Sequence, residues 1–593
     1  MLNKIVISDV GDEMNTVRMM IAICVASVWV SVLLMGCNSS SDSAENDDPV
    51  VEEACETTSM TECVVDEESN SEENSDNDNN VLSRHYTIPV TFLLSEIGVP
   101  ENRIPSGEEM VSVRAFGAIP NDDIDDTGAI LEAINSAGDD VAVQFERGDY
   151  LLSKLLKIER KVFLRGVPGG GTRFFITSST DPVTVVTYSK KSDWVDLEVN
   201  VAMGSNQLVL DRDSAALNDL IGYEYIEVEQ DAGYIGDSPP STFAIERSSF
   251  WQQFDEGTMA RITSVDENTI TLEAALSFNF NATTTRVRGF DLIEYAVFKN
   301  ITFFRSVDTV DPRGDTLHII NTRHVVVENS SFHNVAGSHL TLRGVYQCTV
   351  NHNGFYNAFN YEPGRAYGVE LTRHTTGCLV EDNVVSGYRH AFLTHLGANN
   401  SAFLNNYSEK NSDEDGGVIA GLSGHGYNSA RILFEGNITD QAQLDAVGQR
   451  QKDIDVEDAN GMRAGNVKAN GQDFVFFRNC IESTDGITVL GGVDVRTFIL
   501  NNALVSDEVA SLGAAGGTPS LLTQTVTHGN LRAATDDIQY ADSESETSFP
   551  ASYIYSRAPT YYDGTAWPST GGDLGINCSN PARERHIDAG NAL

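Results

Sequence analysis

Basic residues are scarce in this 593-residue chain: 39 Lys and Arg stand against 86 Asp and Glu, for a net charge of −47. That deficit excludes nucleic acid and anionic membrane surfaces as main partners, because both would repel the chain. It fits a solubilising surface in a salty habitat. Helical periodicity is equally scarce. None of the eight Cys has zinc-ligand spacing. The run Gly169-Gly-Gly171 lacks the following helix and Lys-Ser/Thr pair of a phosphate loop, so it reads as a turn.

What the chain does have is a repeat, an apolar residue followed three positions later by Asn. It occurs at Val297/Asn300, Val350/Asn353, Val380/Asn383, Phe403/Asn406, Phe434/Asn437, Phe476/Asn479 and Ile499/Asn502, with Ser330 in the equivalent place after Val327. The intervals are 30, 23, 30, 23, 31, 42 and 23 residues. A period near 23 with short β-rich segments predicts one coil of a parallel β-helix, which cannot close a core alone and must stack on its neighbours. Asn suits the recurring bend because it tolerates left-handed backbone angles and its amide can bond to the Asn one coil away. The longer intervals must leave the coil as loops, which in solenoids usually build the binding face. With 41% hydrophobic residues, one long solenoid is favoured over several globular domains.

The first 37 residues form a targeting signal. Arg18 precedes an apolar run from Met19 to Met35 that ends in Gly36-Cys37. The pattern resembles a bacterial lipoprotein signal, in which the Cys carries lipid; Asn38 rather than Asp follows, so the resemblance implies an outer-membrane lipoprotein. A retained membrane-spanning segment is the alternative. Residues 38–83 are an acidic, Ser/Asn-rich tether too polar to fold, spanning some tens of ångströms at about 5–6 Å × √n. Export permits disulfides. Cys348 and Cys378 hold the same place in successive coils, as a bridge or a reduced ladder; Cys55 with Cys63 and Cys480 with Cys578 are the remaining plausible pairs.

Folding begins with a strand from Val111, an acidic turn holding Asp125 and Asp126, and a helix striped by Ile130, Leu131 and Ile134. Residues 111–176 resemble the opening of the pectate-lyase-like superfamily of right-handed parallel β-helices. There the helix plugs the open end of the solenoid and the acidic turn is structural. Period-2 alternation in residues 206–211, 224–228, 260–265 and 269–272 predicts a small antiparallel insertion over 195–290. Its Trp251 and Phe254 are candidates for sugar stacking, although burial competes. The expected organisation is a signal (1–37), a tether (38–83), cap and first coils (84–194), the insertion (195–290), central coils with the active face (291–510), and a C-terminal coil and tail (511–593). The fold class is all-β.

Nine of the twelve His lie between His318 and His425. Clustering of the side chain that titrates near neutrality, in so acidic a protein, marks a functional face. Counted back from the bend Asn, Glu370 is at −13, His395 at −11 and His425 at −12, which places them as neighbours on one stacked sheet. The stretch from Gly364 to Asn437 resembles exported β-helix proteins of marine and soil bacteria, a group that cleaves, epimerises or merely binds polysaccharides.

Two chemistries compete. β-Elimination from a uronic acid needs a cation at the carboxylate, a base for the C5 proton and an acid for the leaving oxygen. Arg365 and Arg389 supply cations, His390 or His395 a base and Tyr367 an acid, with Glu370 and His425 beside them. Hydrolysis needs two carboxylates. Ser423-Gly-His425-Gly resembles the His motif of polygalacturonases, with Asp413 or Asp415 upstream, but that family's Asn-Thr-Asp strand and paired Asp are absent, since Asn321-Thr322 precedes Arg323. Arg373, Asn399, Asn400 and Tyr427 are candidates for substrate contact, and Asp413 and Asp415 for Ca²⁺, the one cofactor left open. A plain ion pair of Glu370 with Arg389 across coils is the structural alternative. The expectation is a surface-tethered, monomeric lyase acting on an acidic polysaccharide, with a hydrolase or a non-catalytic glycan-binding β-helix as alternatives.

Overall fold

The computed structural model describes residues 86–178, 183–187, 190–230, 256–306, 314–362, 364–411, 420–425, 429–445, 472–482, 487–490, 496–504, 510–512, 525–532, 537–539, 548–563, 567 and 578–591. Cys37, Cys55, Cys63, Trp251, Phe254, Asp413, Asp415 and Tyr427 lie outside them.

Each coil contributes one short strand to each of three sheets. Among the described residues the first and second sheets hold 12 strands each and the third holds 10, with every strand beside its counterpart one coil away. Pairing within these sheets is parallel except for a closing antiparallel strand, Asp537–Gln539. The architecture is a right-handed parallel β-helix, the hand expected of parallel strands joined by crossovers.

Asn side chains hold the coils in register at the bend from the first sheet to the second. Asn406 is typical. Its Nδ2 donates to Val380 O and to Asn437 Oδ1, both at 2.9 Å, while its Oδ1 accepts from the N–H and the Nδ2 of Asn383, both at 3.0 Å. The same exchange links Asn353, Asn383, Asn406, Asn437, Asn479, Asn502 and Asn530, all buried.

Strand register corrects the repeat in three places. Phe298, not Val297, shares a column with Val327, Val350 and Val380. Asn300 therefore matches Asn329, and the ladder starts at Ser330, whose Oγ accepts Ile301 N at 3.2 Å. At the other end the ladder runs on to Asn530, missed because Thr527 rather than an apolar residue precedes it. The left-handed backbone also falls one residue earlier than expected, at Asn329, His352, Asp382, Asn405, Arg478 and Asn501, with φ of 51–58°. The ladder Asn is selected by its amide, not by its backbone tolerance.

Inside the coils, rings stack from coil to coil: Phe303 on Phe332 at 4.6 Å, Phe332 on Phe355 at 4.9 Å, and Phe403 on Phe434 and Phe434 on Phe476 at 5.1 Å. These spacings follow the strand separation of about 4.8 Å. Strands of the first sheet such as Phe474–Phe477 and Thr497–Leu500 are apolar on both faces, as strands covered on both sides are. Their outer residues Leu404, Leu433, Phe477 and Leu500 pack with Tyr86, Phe92 and Ile97 of an N-terminal arm and with Phe549 of a C-terminal segment. That segment covers two carboxylates. Glu381 Oε2 accepts from the Tyr555 and Tyr561 hydroxyls at 2.6 and 2.9 Å, and Glu435 Oε2 accepts Tyr553 N at 3.0 Å.

At the N-terminal end, the helix Thr127–Ser136 puts Ile130, Ala133 and Ile134 into the same core as Val143, Leu156 and Ile158. Asp126 holds its N-cap position, yet its carboxylate accepts Ile119 N and Leu151 N, so it ties the helix to the first coils; Asp125 Oδ1 takes the Thr127 hydroxyl at 2.6 Å. Six antiparallel strands between Val195–Asp196 and Thr285–Gly289 form a separate sheet with its own core. It joins the solenoid at the corner between the third and first sheets, where Asn399 Nδ2 donates to Gly257 O at 3.0 Å. Cys348–Cys378 bridges neighbouring coils, and Cys480–Cys578 ties down the C-terminal segment ahead of the helix Pro581–His586.

Replacing Asn406 with Leu strands four buried hydrogen-bonding partners, so the guanidinium unfolding midpoint is expected to fall by an amount equivalent to about 3 kcal/mol or more. A second expectation concerns pH. Burial pushes the Glu435 carboxyl up from 4.5 to about 7, against the hydrogen bonds from Ser552 and Tyr553. The folded protein therefore keeps a proton that the unfolded chain loses near 4.5. The stabilisation is full below that pH, declines as pH rises through about 7 and is absent above it. Glu435→Gln should flatten that decline in calorimetric scans and raise stability at alkaline pH, by about 3 kcal/mol.

Candidate functional site

Alternation along the third sheet sends Leu340, Leu342, Val369, Leu371, Phe392 and Leu422 into the core. Thr341, Glu370, Leu393 and Ser423 make the adjoining column on its outer face, with His318 one coil before Thr341. Ser338, Tyr367, His390 and Ala420 form a second column, three residues earlier in each coil.

Glu370 is the centre of this face. Its Oε1 accepts His395 Nε2 at 2.6 Å and its Oε2 accepts the Ser338 hydroxyl at 2.5 Å. Burial alone would raise its pKa, but the hydrogen bonds from His395 and Ser338 and the nearby His395 and His318 outweigh burial and hold the carboxyl below its usual range. The expected cross-coil ion pair with Arg389 does not form; the partner is His395. Because Glu370 accepts at Nε2, the proton of neutral His395 sits there and Nδ1 keeps its lone pair.

Arg389, 6% exposed, serves the second column. Its Nη1 donates to His390 Nε2 at 3.0 Å and to the Tyr367 hydroxyl at 3.4 Å. Its Nε is buried without a hydrogen-bond partner, and no carboxylate among the described residues pairs with it. His390 must accept from Arg389, so it is neutral at Nε2. Burial first, then His425, Arg389 and His395, push its pKa well down. Tyr367 is pushed up to about 12 by burial, against the pull of Arg389. The His425 ring lies 5.3 Å from His390 and 6.3 Å from His395, centre to centre.

Tyr367, Glu370, Arg389, His390, His395 and His425 thus meet on one outer face, nearly all of them buried. Arg365 does not join them; it pairs with Glu362 at 3.2 Å. Asn399 bonds Gly257, Gly397 and Thr376, Asn400 reaches Glu96 at 3.4 Å, and Arg373 occupies the corner with φ 47°, so these three serve the junction between sheets. The equal-distance count also needs amending. Thr394 pairs with Gly424, so His395 and His425 are true equivalents, one extra corner residue accounting for the difference; Glu370 stands two positions away. Of the nine clustered His, His339 is buried among Phe332 and Phe355, and His374 serves the insertion.

Sequence reasoning missed Asp315, Ser338 and Thr341. Asp315 accepts Ser338 N at 2.8 Å and the Thr341 hydroxyl at 2.9 Å, and Thr341 Oγ1 lies 3.4 Å from Glu370 Oε2. The signal was available: Asp315 stands 15 residues before Ser330, as Ser338 does before Asn353.

Among the described residues, Glu227, Glu229 and His374 bring ligand atoms within 4.8 Å of one another. Arg288 pairs with Glu227 and Arg286 with Glu229, which neutralises both carboxylates and leaves little attraction for a metal.

No family model and no curated protein matches the chain. Solved structures similar to it include the tailspike protein gp49 from Pseudomonas phage LKA1, with 14% identity over 70% of this chain and 69% of that one, at a TM-score of 0.46. The Gp54 tailspike of Acinetobacter baumannii bacteriophage AP22, in complex with A. baumannii capsular saccharide, is 11% identical over 73% and 68%, at 0.41. The catalytic unit of the GH87 alpha-1,3-glucanase from Streptomyces thermodiastaticus is 14% identical over 75% and 72%, at 0.35.

A buried cation without a counter-charge costs stability. Arg389→Met is therefore expected to leave the thermal midpoint unchanged or to raise it, by an amount equivalent to up to about 2 kcal/mol of unfolding free energy, whereas a structural Arg would show a loss.

Proposed function

We propose that this protein is a carbohydrate-active β-helix enzyme, a polysaccharide lyase that cleaves an acidic, uronic-acid glycan by β-elimination on the outer face of the third sheet. One observation carries the reading: Arg389 is a buried guanidinium with no carboxylate partner among the described residues, bonded to His390 and Tyr367 on the sheet face that also carries the His395–Glu370 pair. Arg389 neutralises the substrate carboxylate, which makes the C5 proton acidic. His395 Nδ1 takes that proton while Glu370 holds the ring and stabilises the imidazolium. The electrons left at C5 form the C4–C5 double bond as the C4–O bond breaks. The Tyr367 oxygen accepts from Arg389, so its hydrogen remains available for the departing oxygen.

A hydrolytic reading draws on Asp315 and Glu370, which share Thr341. Against it, Glu370 is held ionised and both its oxygens are engaged, so it is a poor proton donor and a hindered nucleophile. Alginate, pectate and glucuronan should yield products absorbing in the ultraviolet through the new double bond. His395→Ala should lower kcat by about a hundredfold or more. New reducing ends without that absorbance would select the hydrolase, and saturable binding without any product a glycan-binding protein.

We also propose that Cys37 carries a lipid anchor to the outer membrane and that residues 38–83 act as the tether. Cys37→Ser should release the protein into the soluble fraction or stall its processing, and unchanged retention would point to the apolar segment Met19 to Met35 instead.

A further inference from the structure

Four successive coils set polar side chains next to one another at the third sheet. Asp315 precedes the strand Leu317–Ile320, Ser338 and Thr341 lie on the next strand, Glu370 on the one after it, and His395 just past the fourth, His390–Thr394. Two residues of the second coil connect the carboxylates on either side of it. Ser338 gives its backbone N–H to Asp315 Oδ1 at 2.8 Å and its hydroxyl to Glu370 Oε2 at 2.5 Å. Thr341 Oγ1 lies 2.9 Å from Asp315 Oδ2 and 3.4 Å from Glu370 Oε2. A hydroxyl has one hydrogen, so it serves only one of these carboxylates. The shorter distance, and the Ser338 hydroxyl already seated on Glu370 Oε2, give that hydrogen to Asp315. His318 Nδ1, 3.6 Å from Asp315 Oδ2, is too far to displace it.

We infer that Asp315 is a positioning residue for the Glu370–His395 pair, the acceptor that turns the Thr341 hydrogen away from Glu370. Only its effect on rate rests on the reading of His395 as the base. Glu370 already takes His395 on one oxygen and Ser338 on the other. A third donor would draw on the same negative charge and weaken the bond that holds the His395 ring, since bonds in a dry network polarise one another. Asp315 prevents this because an ionised carboxylate only accepts. Asn at the same place would do the opposite. The Ser338 N–H is fixed by the backbone and claims the single amide oxygen, which leaves the amide NH2 facing Thr341 Oγ1. Thr341 would then accept from that amide and donate to Glu370, so the direction of the relay reverses while its shape stays the same.

Proton NMR of the full-length protein reads the relay directly, because the proton in a short, charge-assisted bond such as that from His395 Nε2 to Glu370 Oε1, at 2.6 Å, resonates far downfield. His395→Gln should remove the resonance and so assign it. Asp315→Asn, which keeps size and shape, should move it upfield. On a uronate polymer that the wild-type protein cleaves, the same variant should lower kcat by about tenfold with KM unchanged, the worth of about one hydrogen bond. Adding Thr341→Val to Asp315→Asn takes away the hydroxyl that has been turned, and should bring the resonance back and recover most of the lost rate. Both variants lack the Asp315 charge, so the recovery isolates the hydroxyl. A neutron structure of the wild-type protein needs no substitution and decides even if a variant fails to fold: the Thr341 deuterium should lie on the Asp315 side. A resonance unmoved by Asp315→Asn, a double variant no closer to wild type than the single one, or a deuterium directed at Glu370 would each overturn the inference. The expected resonances together with no unsaturated product from the wild-type protein would retain the relay and dismiss the elimination chemistry.

Discussion

The exchange of amide hydrogen bonds between stacked Asn residues is the constraint on which the rest of this solenoid depends. A parallel strand can slip by whole residues against its neighbour, and a slip of one would turn every core side chain to the outside. The ladder from Asn353 to Asn530 prevents this, because each amide must satisfy a backbone carbonyl, a backbone N–H and two side-chain partners in a dry bend. With the bend held, spacings of 23, 30, 31 and 42 residues between successive Asn can coexist in one regular stack. The surplus residues leave through the other corners without disturbing the core.

That freedom places the polar cluster. The later strands of the first sheet are covered by terminal segments and are apolar on both faces. The outer face of the third sheet carries Ser338, Thr341, Tyr367, Glu370, Arg389, His390, His395 and His425 instead. Buried polar groups are stable only when partnered. Here Glu370 is oversupplied with donors while Arg389 is undersupplied with acceptors. An imbalance of this kind is costly in a structural network and useful in a site that receives a charged substrate.

The bends, the all-β class and the capping helix were legible because each rests on local chemistry repeated along the chain: an apolar residue and an Asn at fixed spacing, or the stripe of Ile130 and Ile134 behind an acidic turn. The site was legible in part. Tyr367, Glu370, Arg389, His390, His395 and His425 stood out by residue type and lie on one face, but Asp315, Ser338 and Thr341 did not stand out, since an isolated Asp, Ser and Thr carry no signal until the coil register is counted. Asn399 and Asn400 looked like substrate contacts and instead join the insertion and the N-terminal arm to the solenoid. The error at Asn300 has the same origin, for a short motif cannot show whether it is one residue out of step with the strands beside it.

By itself the sequence determined the coil, because stacking Asn and alternating apolar residues act between neighbours and need no knowledge of distant contacts. Only the tertiary structure decided the pairings: Glu370 with His395 rather than Arg389, Arg389 with His390 and Tyr367, Arg365 with Glu362 outside the cluster. Those choices depend on distances of a few ångströms across coils whose corners differ in length. A hydrogen bond is won or lost over less than one ångström, and no spacing along the chain resolves that.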